Sequence, residues 1–227
     1  MDEYTMVYDR EGEGLPLVFI HQVATDRRLW HHQWRTFCRR YRLITVDTLG
    51  HGEVSQPSEE FSLERTAGHV QELLKWLQAG PAFLVGVFTG PAIAMRAAPS
   101  NPLLVRGLIP INPWSHTNEH TACLVDRLFG LAEVGDISTH TDLFLRYVLP
   151  SMYLGRHSLE VERLRALAME LAPQVLAFAW AACTASDPLD CLSAIHVPSL
   201  VSAGLYDLCT PPYLARAMAD GLSKVEF

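Results

Sequence analysis

The chain has 227 residues, 49% of them hydrophobic and 19% charged, and carries a net charge of −7. Such a composition excludes a disordered protein and is typical of one packed globular domain. The negative charge argues against nucleic acid or an anionic membrane surface as a partner.

Cysteine usage and the amino terminus bear on the cellular location. The five cysteines are odd in number and include no C-x-x-C pair, which favours reduced thiols over a disulfide framework. The start, Met1-Asp2-Glu3-Tyr4, is acidic and lacks the apolar region of a signal peptide. No apolar run approaches the roughly 20 residues that a membrane helix needs. We therefore expect a cytoplasmic protein without a membrane partner.

Hydrophobic patterning in the first half of the chain predicts strands that alternate with helices. Strands are expected at residues 4–8, 17–20, 42–46 and 105–111, and a further strand begins at Phe83. Helices are expected at residues 28–39 and 62–78 and from Ala92 onward, with Asp26 as the N-cap of the first.

The pattern changes after residue 115, where helical segments follow one another without a clear strand. They lie near residues 122–131, 141–148, 158–171 and 173–184. Residues 197–203 restore a strand, 211–222 a helix, and 224–227 begin a last strand. Alternating strands and helices indicate a parallel sheet. We predict an α/β fold with a mainly parallel sheet, helices on both faces, a core of residues 1–114 and 191–227, and a helical cap of residues 115–190.

The segment Gly86-Val87-Phe88-Thr89-Gly90 lies between the strand that begins at Phe83 and an apolar helix. A strand, a tight turn and a buried helix form the setting of the nucleophile elbow, whose usual pattern is G-x-S-x-G. The position of the serine is Phe88, which has no nucleophilic atom and no proton to give. The segment therefore predicts the architecture of the elbow without its chemistry.

Four sequence blocks, in this order, resemble the α/β-hydrolase superfamily, and within it the small esterases and enol-lactone hydrolases. The resemblance covers nearly the whole chain and implies a Ser-His-acid triad under a cap. The blocks are residues 21–26 with Trp30, residues 47–54, residues 86–90 and residues 197–207.

The chain departs from this family pattern at two of the three triad positions. Phe88 stands at the place of the nucleophile, and the triad histidine belongs on a loop after the strand that begins at Lys224, whereas the sequence ends at Phe227. We therefore expect the C-terminal strand and helix of the family to be curtailed. Asp207 matches the triad acid. Hydrolysis through an acyl-enzyme needs all three groups, so the sequence argues against it.

The remaining polar residues near the expected pocket are the candidate site. Asp207 is either an acid or base whose pKa is raised by apolar surroundings, or a residue that caps the helix near Pro211. His21 is either a catalytic or ligand-binding group, or a structural histidine. The catalytic candidates are thus Asp207 and His21, and the substrate-binding candidates are Gln22, Val23, Phe88, Thr89, Trp114 and His116. The backbone N–H groups of Val23 and Thr89 are the expected anion stabilisers.

Motifs for metals and cofactors are not found. His31-His32 lies on an early helix and other histidines are scattered, without a spacing such as H-E-x-x-H. No glycine-rich phosphate loop accompanies Gly86 and Gly90. We expect neither a metal nor a cofactor.

Three hypotheses for function remain open. The first is a non-hydrolytic member of the superfamily that binds a small, mostly apolar molecule, for example a polyketide- or terpenoid-like one, and promotes a lyase, isomerase or cyclisation reaction. The second is a catalytically inactive protein that acts through protein contacts, for example as a homodimer that pairs a bare sheet edge. The third is an ordinary hydrolase whose sequence is truncated, with Phe88 a substitution or the elbow misassigned.

Overall fold

The structure, a computed structural model, describes residues 6–54, 62–114, 119–185 and 189–227, with only the backbone of His120. In these ranges, seven strands form one sheet in the order β1-β3-β2-β4-β5-β6-β7, in which only β1 is antiparallel to its neighbour. The strands are β1 (Tyr8–Glu11), β2 (Pro16–Ile20), β3 (Arg42–Val46), β4 (Ala82–Val87), β5 (Val105–Ile111), β6 (Ser199–Leu200) and β7 (Val225–Glu226).

Helices cover both faces of this sheet. The α-helices are α1 (His31–Phe37), α2 (Leu63–Trp76), α3 (Gly90–Ser100), α4 (Glu119–Glu133), α5 (Ile137–Val148), α6 (Ser151–Arg156), α7 (Ser158–Met169), α8 (Pro173–Ala185) and α9 (Pro212–Gly221). Short 3-10 helices lie at Arg27–Trp30 and Leu192–Ala194. Helices α4 to α8 follow one another between β5 and β6, in the range for which the sequence predicts a cap. We call these five helices the cap, and the sheet with its other helices the core.

Side chains alternate between the two faces of the strands, as the pleat requires. Val18, Ile20 and Leu84 belong to a core with α2, α3 and α9, whereas Leu17 and Phe19 pack with Trp30 on the opposite face. The predicted α/β class, with a mainly parallel sheet and helices on both faces, is confirmed.

Several element boundaries differ from the sequence prediction. The first strand begins at Tyr8, where the predicted one ends, because most of its residues are exposed and give little hydrophobic pattern; residues 4 and 5 lie outside the described ranges. The strand predicted at 197–203 is reduced to Ser199–Leu200 plus an isolated bridge between Ser202 and Ile111. The helix predicted at 28–39 divides into the 3-10 helix and α1, and α6 is an additional short helix.

The strand registers bring the functional loops to one edge of the sheet. Ile20 pairs with Val46 on one side and with Gly86 on the other, and Val87 pairs with Ile111. The carboxyl ends of β2, β3, β4 and β5 therefore lie side by side, which is where ligands bind in open parallel sheets.

Two glycines permit the close approach of α3 to the sheet. A Cβ on Gly86 would lie 2.4 Å from the carbonyl carbon of Gly90, and a Cβ on Gly90 would lie 2.4 Å from the backbone oxygen of Ile20. Neither backbone contact leaves room for a side chain, so both glycines of the elbow are required for steric reasons.

The lengths of the helices bear on whether they could span a membrane. In the described ranges no single helix is both long and apolar enough to cross a membrane. The pair Ser158–Met169 and Pro173–Ala185 meets the length and composition only when taken together, and its axis bends by 96° at the break.

Candidate functional site

The turn between β4 and α3 keeps the backbone geometry of an elbow. Phe88 has a φ of 54°, and its N–H donates to the backbone oxygen of Ile111 at 3.1 Å. This left-handed conformation costs a non-glycine residue about 1–3 kcal/mol. The strained turn is therefore retained although its residue has no nucleophilic atom.

The ring of Phe88 lies in an aromatic cluster at the core–cap boundary. Ring centroids of Trp114, Phe144 and Trp180 lie 5.6, 5.8 and 5.8 Å from that of Phe88, with the tilted or edge-on geometry that aromatic pairs prefer. Phe88 itself is 1% exposed. The ring thus joins the elbow to cap helices α5 and α8.

A cavity of about 160 Å³ lies beside this cluster and is lined from both the core and the cap. Its polar residues are Gln22, Asn112 and Asp207, which follow β2, β5 and β6. Its apolar walls are Leu29, Val87, Phe88, Leu145, Val148, Leu149 and Leu164. The cavity is therefore mainly apolar, with polar groups contributed by the carboxyl edge of the sheet.

Both carboxylate oxygens of Asp207 are occupied by protein donors. Oδ1 accepts from the N–H groups of Cys209 and Thr210, each at 2.8 Å. Oδ2 accepts from Asn112 Nδ2 and from Thr210 Oγ1, the latter at 3.2 Å. Burial raises the pKa of Asp207, although these hydrogen bonds partly oppose it. The carboxylate stabilises the turn before α9. It also lines the cavity, but most of its hydrogen-bond acceptor positions are already used by protein donors.

One of the two expected oxyanion donors, the N–H of Val23, already has a partner inside the protein. The N–H of Val23 donates to Thr89 Oγ1 at 3.0 Å, in a buried position. An N–H that is already paired inside the protein gives little further stabilisation to a developing anion. Neither Val23 nor Thr89 lines the cavity.

His21 is held as a structural residue. Its Nδ1 lies 2.8 Å from the backbone oxygen of Gln22, and its Nε2 accepts from the N–H of Thr48 at 3.0 Å. Burial lowers its pKa to about 4, and it does not line the cavity. A neutral histidine with both ring nitrogens engaged is poorly placed to act as a base, so this geometry favours the structural alternative.

The other predicted ligand-binding residues divide between the wall and the layer behind it. Gln22 and Phe88 line the cavity, and the half-buried amide of Gln22 offers both a donor and an acceptor. Trp114 is buried behind Phe88, which it contacts edge-on. His116 lies outside the described residues.

Sequence reasoning missed Asn112 and the leucines of the cap. Asn112 has a φ of 45°, which asparagine tolerates better than most residues. Its Oδ1 accepts from the N–H of Gly204 at 2.7 Å while its Nδ2 donates to Asp207. The sequence did contain a signal for Asn112, because it is a polar residue directly after β5, the strand next to the elbow strand. The cap leucines carry no such signal, because apolar helix positions look alike in sequence.

Comparison with known proteins supports the fold. A family model described as "alpha/beta hydrolase fold" matches residues 16–227. The (E)-2-((N-methylformamido)methylene)succinate hydrolase of Acinetobacter baylyi is 28% identical over 140 residues, which are 61% of this chain and 53% of that protein. The haloalkane dehalogenase of Agrobacterium fabrum is 33% identical over 102 residues, which are 45% of this chain and 34% of that protein.

These two matches span about half or less of the length of the curated relatives. A match of nearly full length comes from the solved structure of the enol-lactonase of Burkholderia xenovorans, with a TM-score of 0.90 and 20% identity over 97% of this chain and 86% of that one. At this identity the likeness is one of fold.

Proposed function

Because the chain belongs to the α/β-hydrolase fold family but has Phe88 at the nucleophile position, we propose that it is a non-hydrolytic member that holds a small, mainly apolar molecule. The observation that carries the proposal is the ring of Phe88, which is packed into the elbow at positive φ. Where a serine hydroxyl would meet a substrate, this chain presents an apolar wall. The similarity to the relatives named above supports the fold on which this proposal rests. Their hydrolytic reactions are not part of the proposal.

The cavity is partly open, and its volume indicates how much of a ligand it can enclose. An engineered protein cavity of about 150 Å³ lined by apolar side chains binds benzene, and the cavity here measures about 160 Å³. We therefore infer a ligand with the size of one six-membered ring, with its polar group directed to Gln22 or Asn112. Larger polyketide- or terpenoid-like molecules would require the cap to move.

A lyase, isomerase or cyclisation reaction at this site would depend on Asp207. It is the ionisable group among the described residues that line the cavity. Its raised pKa would help it to give or take a proton near neutral pH, as a general acid or base does. Because its oxygens already accept four hydrogen bonds, we rank binding ahead of catalysis.

The binding proposal is tested by calorimetric titration with phenol and cyclohexanol, using a pair of matched substitutions. Val148→Phe places a ring into the cavity from its half-buried wall position, whereas Val134→Phe makes the same change at a residue that is 77% exposed. We expect saturable binding in the wild type and in Val134→Phe, and its loss in Val148→Phe. Binding that is absent from the wild type, or unchanged in Val148→Phe, would contradict the proposal.

A second candidate function, action through protein contacts, is favoured by one exposed surface. This surface is a groove of about 470 Å³, lined by Arg146, by residues 149–151 and by four exposed side chains. Those four are Met152, Leu205, Tyr206 and Leu208, which are 58%, 73%, 62% and 56% exposed. Contiguous exposed apolar residues often mark an interaction surface. Native mass spectrometry of protein purified from its own host separates the two candidate functions. A retained small molecule supports the binding proposal, and a ligand-free dimer supports action through protein contacts.

A further inference from the structure

Two adjacent histidines and a glutamate meet away from the cavity, on the seam between core and cap. His31 and His32 begin α1, and Glu160 lies in the first turn of α7. Glu160 Oε2 lies 3.4 Å from Nε2 of His32 and 3.9 Å from Nε2 of His31. One ligand atom from each residue lies within 4.8 Å of the other two.

These distances approach the edges of a metal-coordination tetrahedron. With metal–ligand bonds of about 2.0–2.1 Å, neighbouring tetrahedral ligands lie about 3.4 Å apart. The two imidazole rings are in contact, with centroids 3.7 Å apart, and the Nε2 atom of each lies within 3.9 Å of the same carboxylate oxygen. Small side-chain rotations would bring all three atoms to bonding distance of one ion.

The carboxylate of Glu160 is oriented by a second residue. Arg163 Nη2 donates to Oε1 at 2.5 Å, and its Nε lies 3.1 Å from each oxygen. The guanidinium thus holds both oxygens, and Oε2 also lies next to the two histidine rings. Metal-binding carboxylates are commonly hydrogen-bonded in this way, which fixes their orientation.

We propose that His31, His32 and Glu160 bind a divalent transition-metal ion of the zinc class and thereby fasten α7 of the cap to α1 of the core. Imidazole ligands favour zinc, nickel or copper over magnesium and calcium, which prefer oxygen ligands. The three protein ligands leave one tetrahedral position for water. The same seam is already bridged by Arg163 Nη1, which donates to the backbone oxygen of Arg28 at 3.0 Å, and by the ion pair of Arg28 with Glu170, and the metal ion would add a further link.

The first test is zinc affinity at pH 7.5, measured by competition with a chromophoric chelator on reduced protein. His32→Gln and His196→Gln are a matched pair, because His32 has a side chain 65% exposed and His196 is exposed outside the cluster. We expect one zinc ion per chain, an affinity lowered at least about tenfold in His32→Gln and Glu160→Gln, and no change in His196→Gln. Equal affinity in the wild type and His32→Gln would overturn the proposal.

Five free cysteines could also bind zinc, so a second readout identifies the ligands. The cobalt-substituted protein should show tetrahedral d–d bands without a thiolate-to-cobalt charge-transfer band, and His32→Gln should lose them. A thiolate band in the wild type would overturn the assignment.

Thermal unfolding tests whether the bound ion fastens α7 to α1, which we call the clamp. At about 100 times its Kd, zinc should raise the Tm of the wild type by roughly 5 °C or more, and magnesium should not. The same Tm rise in His32→Gln would contradict a clamp made by this cluster. Phenol binding in the cavity is a separate measurement, so failure of the metal site leaves that result unaffected.

Discussion

Phe88 combines an unfavourable backbone with a favourable side-chain environment. Its positive φ of 54° costs about 1–3 kcal/mol. Full burial of a phenylalanine side chain contributes about 1.5–3 kcal/mol, and each aromatic pair adds about 0.5–1.5 kcal/mol. With three ring partners, packing exceeds the strain, so the Phe88 side chain at the elbow holds the cap helices on the sheet.

Phe88→Ala is therefore expected to destabilise the protein by about 3 kcal/mol or more, the range of buried Phe→Ala changes. The measurement is urea unfolding followed by tryptophan fluorescence. The control is Phe37→Ala, at a side chain that is 38% exposed, which should cost clearly less. Equal losses in the two variants would show that the aromatic cluster does not support the fold.

The pair Val23–Thr89 leads to a second prediction at the residue scale. Thr89→Val removes the only acceptor that the described residues give to the Val23 N–H, and an unsatisfied buried donor costs about 1–3 kcal/mol. Thr89→Ser keeps the hydroxyl and should lose less. Denaturant unfolding of both variants checks the order, and a Thr89→Ser loss as large as that of Thr89→Val would refute it.

For single residues, the sequence predicts which residues belong to the elbow and the site better than it predicts the contacts that their side chains make. The place of Gly86, Phe88 and Gly90 in an elbow follows from a local pattern, and in the structure they lie at the tight turn between β4 and α3. That the Val23 N–H is taken by Thr89, or that His21 is bonded at both ring nitrogens, depends on strands brought together from distant parts of the chain. No spacing rule contains that information.

Cap helices α5 and α8 are joined by a buried polar contact. Trp180 Nε1 donates to His140 Nε2 at 2.7 Å, and both residues are fully buried. His140→Phe leaves the indole N–H without this acceptor, so we expect a loss of about 1–3 kcal/mol in the free energy of unfolding. In a Trp180→Phe background the same change should cost less, and a double-mutant cycle measures the difference. Additive losses would contradict the coupling.

The elements of the cap were largely predictable, and their contacts were not. Four of the five cap helices fall within a few residues of the predicted ranges, because their apolar positions repeat with helical spacing. The short helix α6, Ser151–Arg156, was missed since six residues with no fully buried member give no period. Which cap side chains reach the cavity is a matter of tertiary packing.

Three buried histidines make the whole molecule sensitive to acid. Burial lowers the pKa of His21, His51 and His140 to about 4, 3 and 4, whereas in the unfolded chain each is near 6.5. Between pH 6.5 and about 4 the unfolded chain therefore binds more protons, so stability falls as the pH falls. Asp207, whose pKa is raised, acts with the opposite sign above its unfolded pKa near 3.8.

We expect the free energy of unfolding to fall between pH 7 and pH 5 by roughly 2 kcal/mol for each of these histidines. Denaturant unfolding at the two pH values gives the difference directly. The His140→Phe variant has one such group fewer and should show about two thirds of the wild-type loss. A stability that is flat over this range would show that the buried histidines are not held neutral.

We propose above that this protein does not act through an acyl-enzyme, and intact-mass spectrometry after incubation with a fluorophosphonate tests that proposal most directly. Wild-type turnover of p-nitrophenyl acetate is recorded in parallel. We predict that the mass of the protein stays unmodified and that fluorophosphonate does not change its rate of ester turnover. The reason is that Phe88 offers no hydroxyl and the Val23 N–H is already paired. A stoichiometric adduct together with loss of ester turnover would contradict the account.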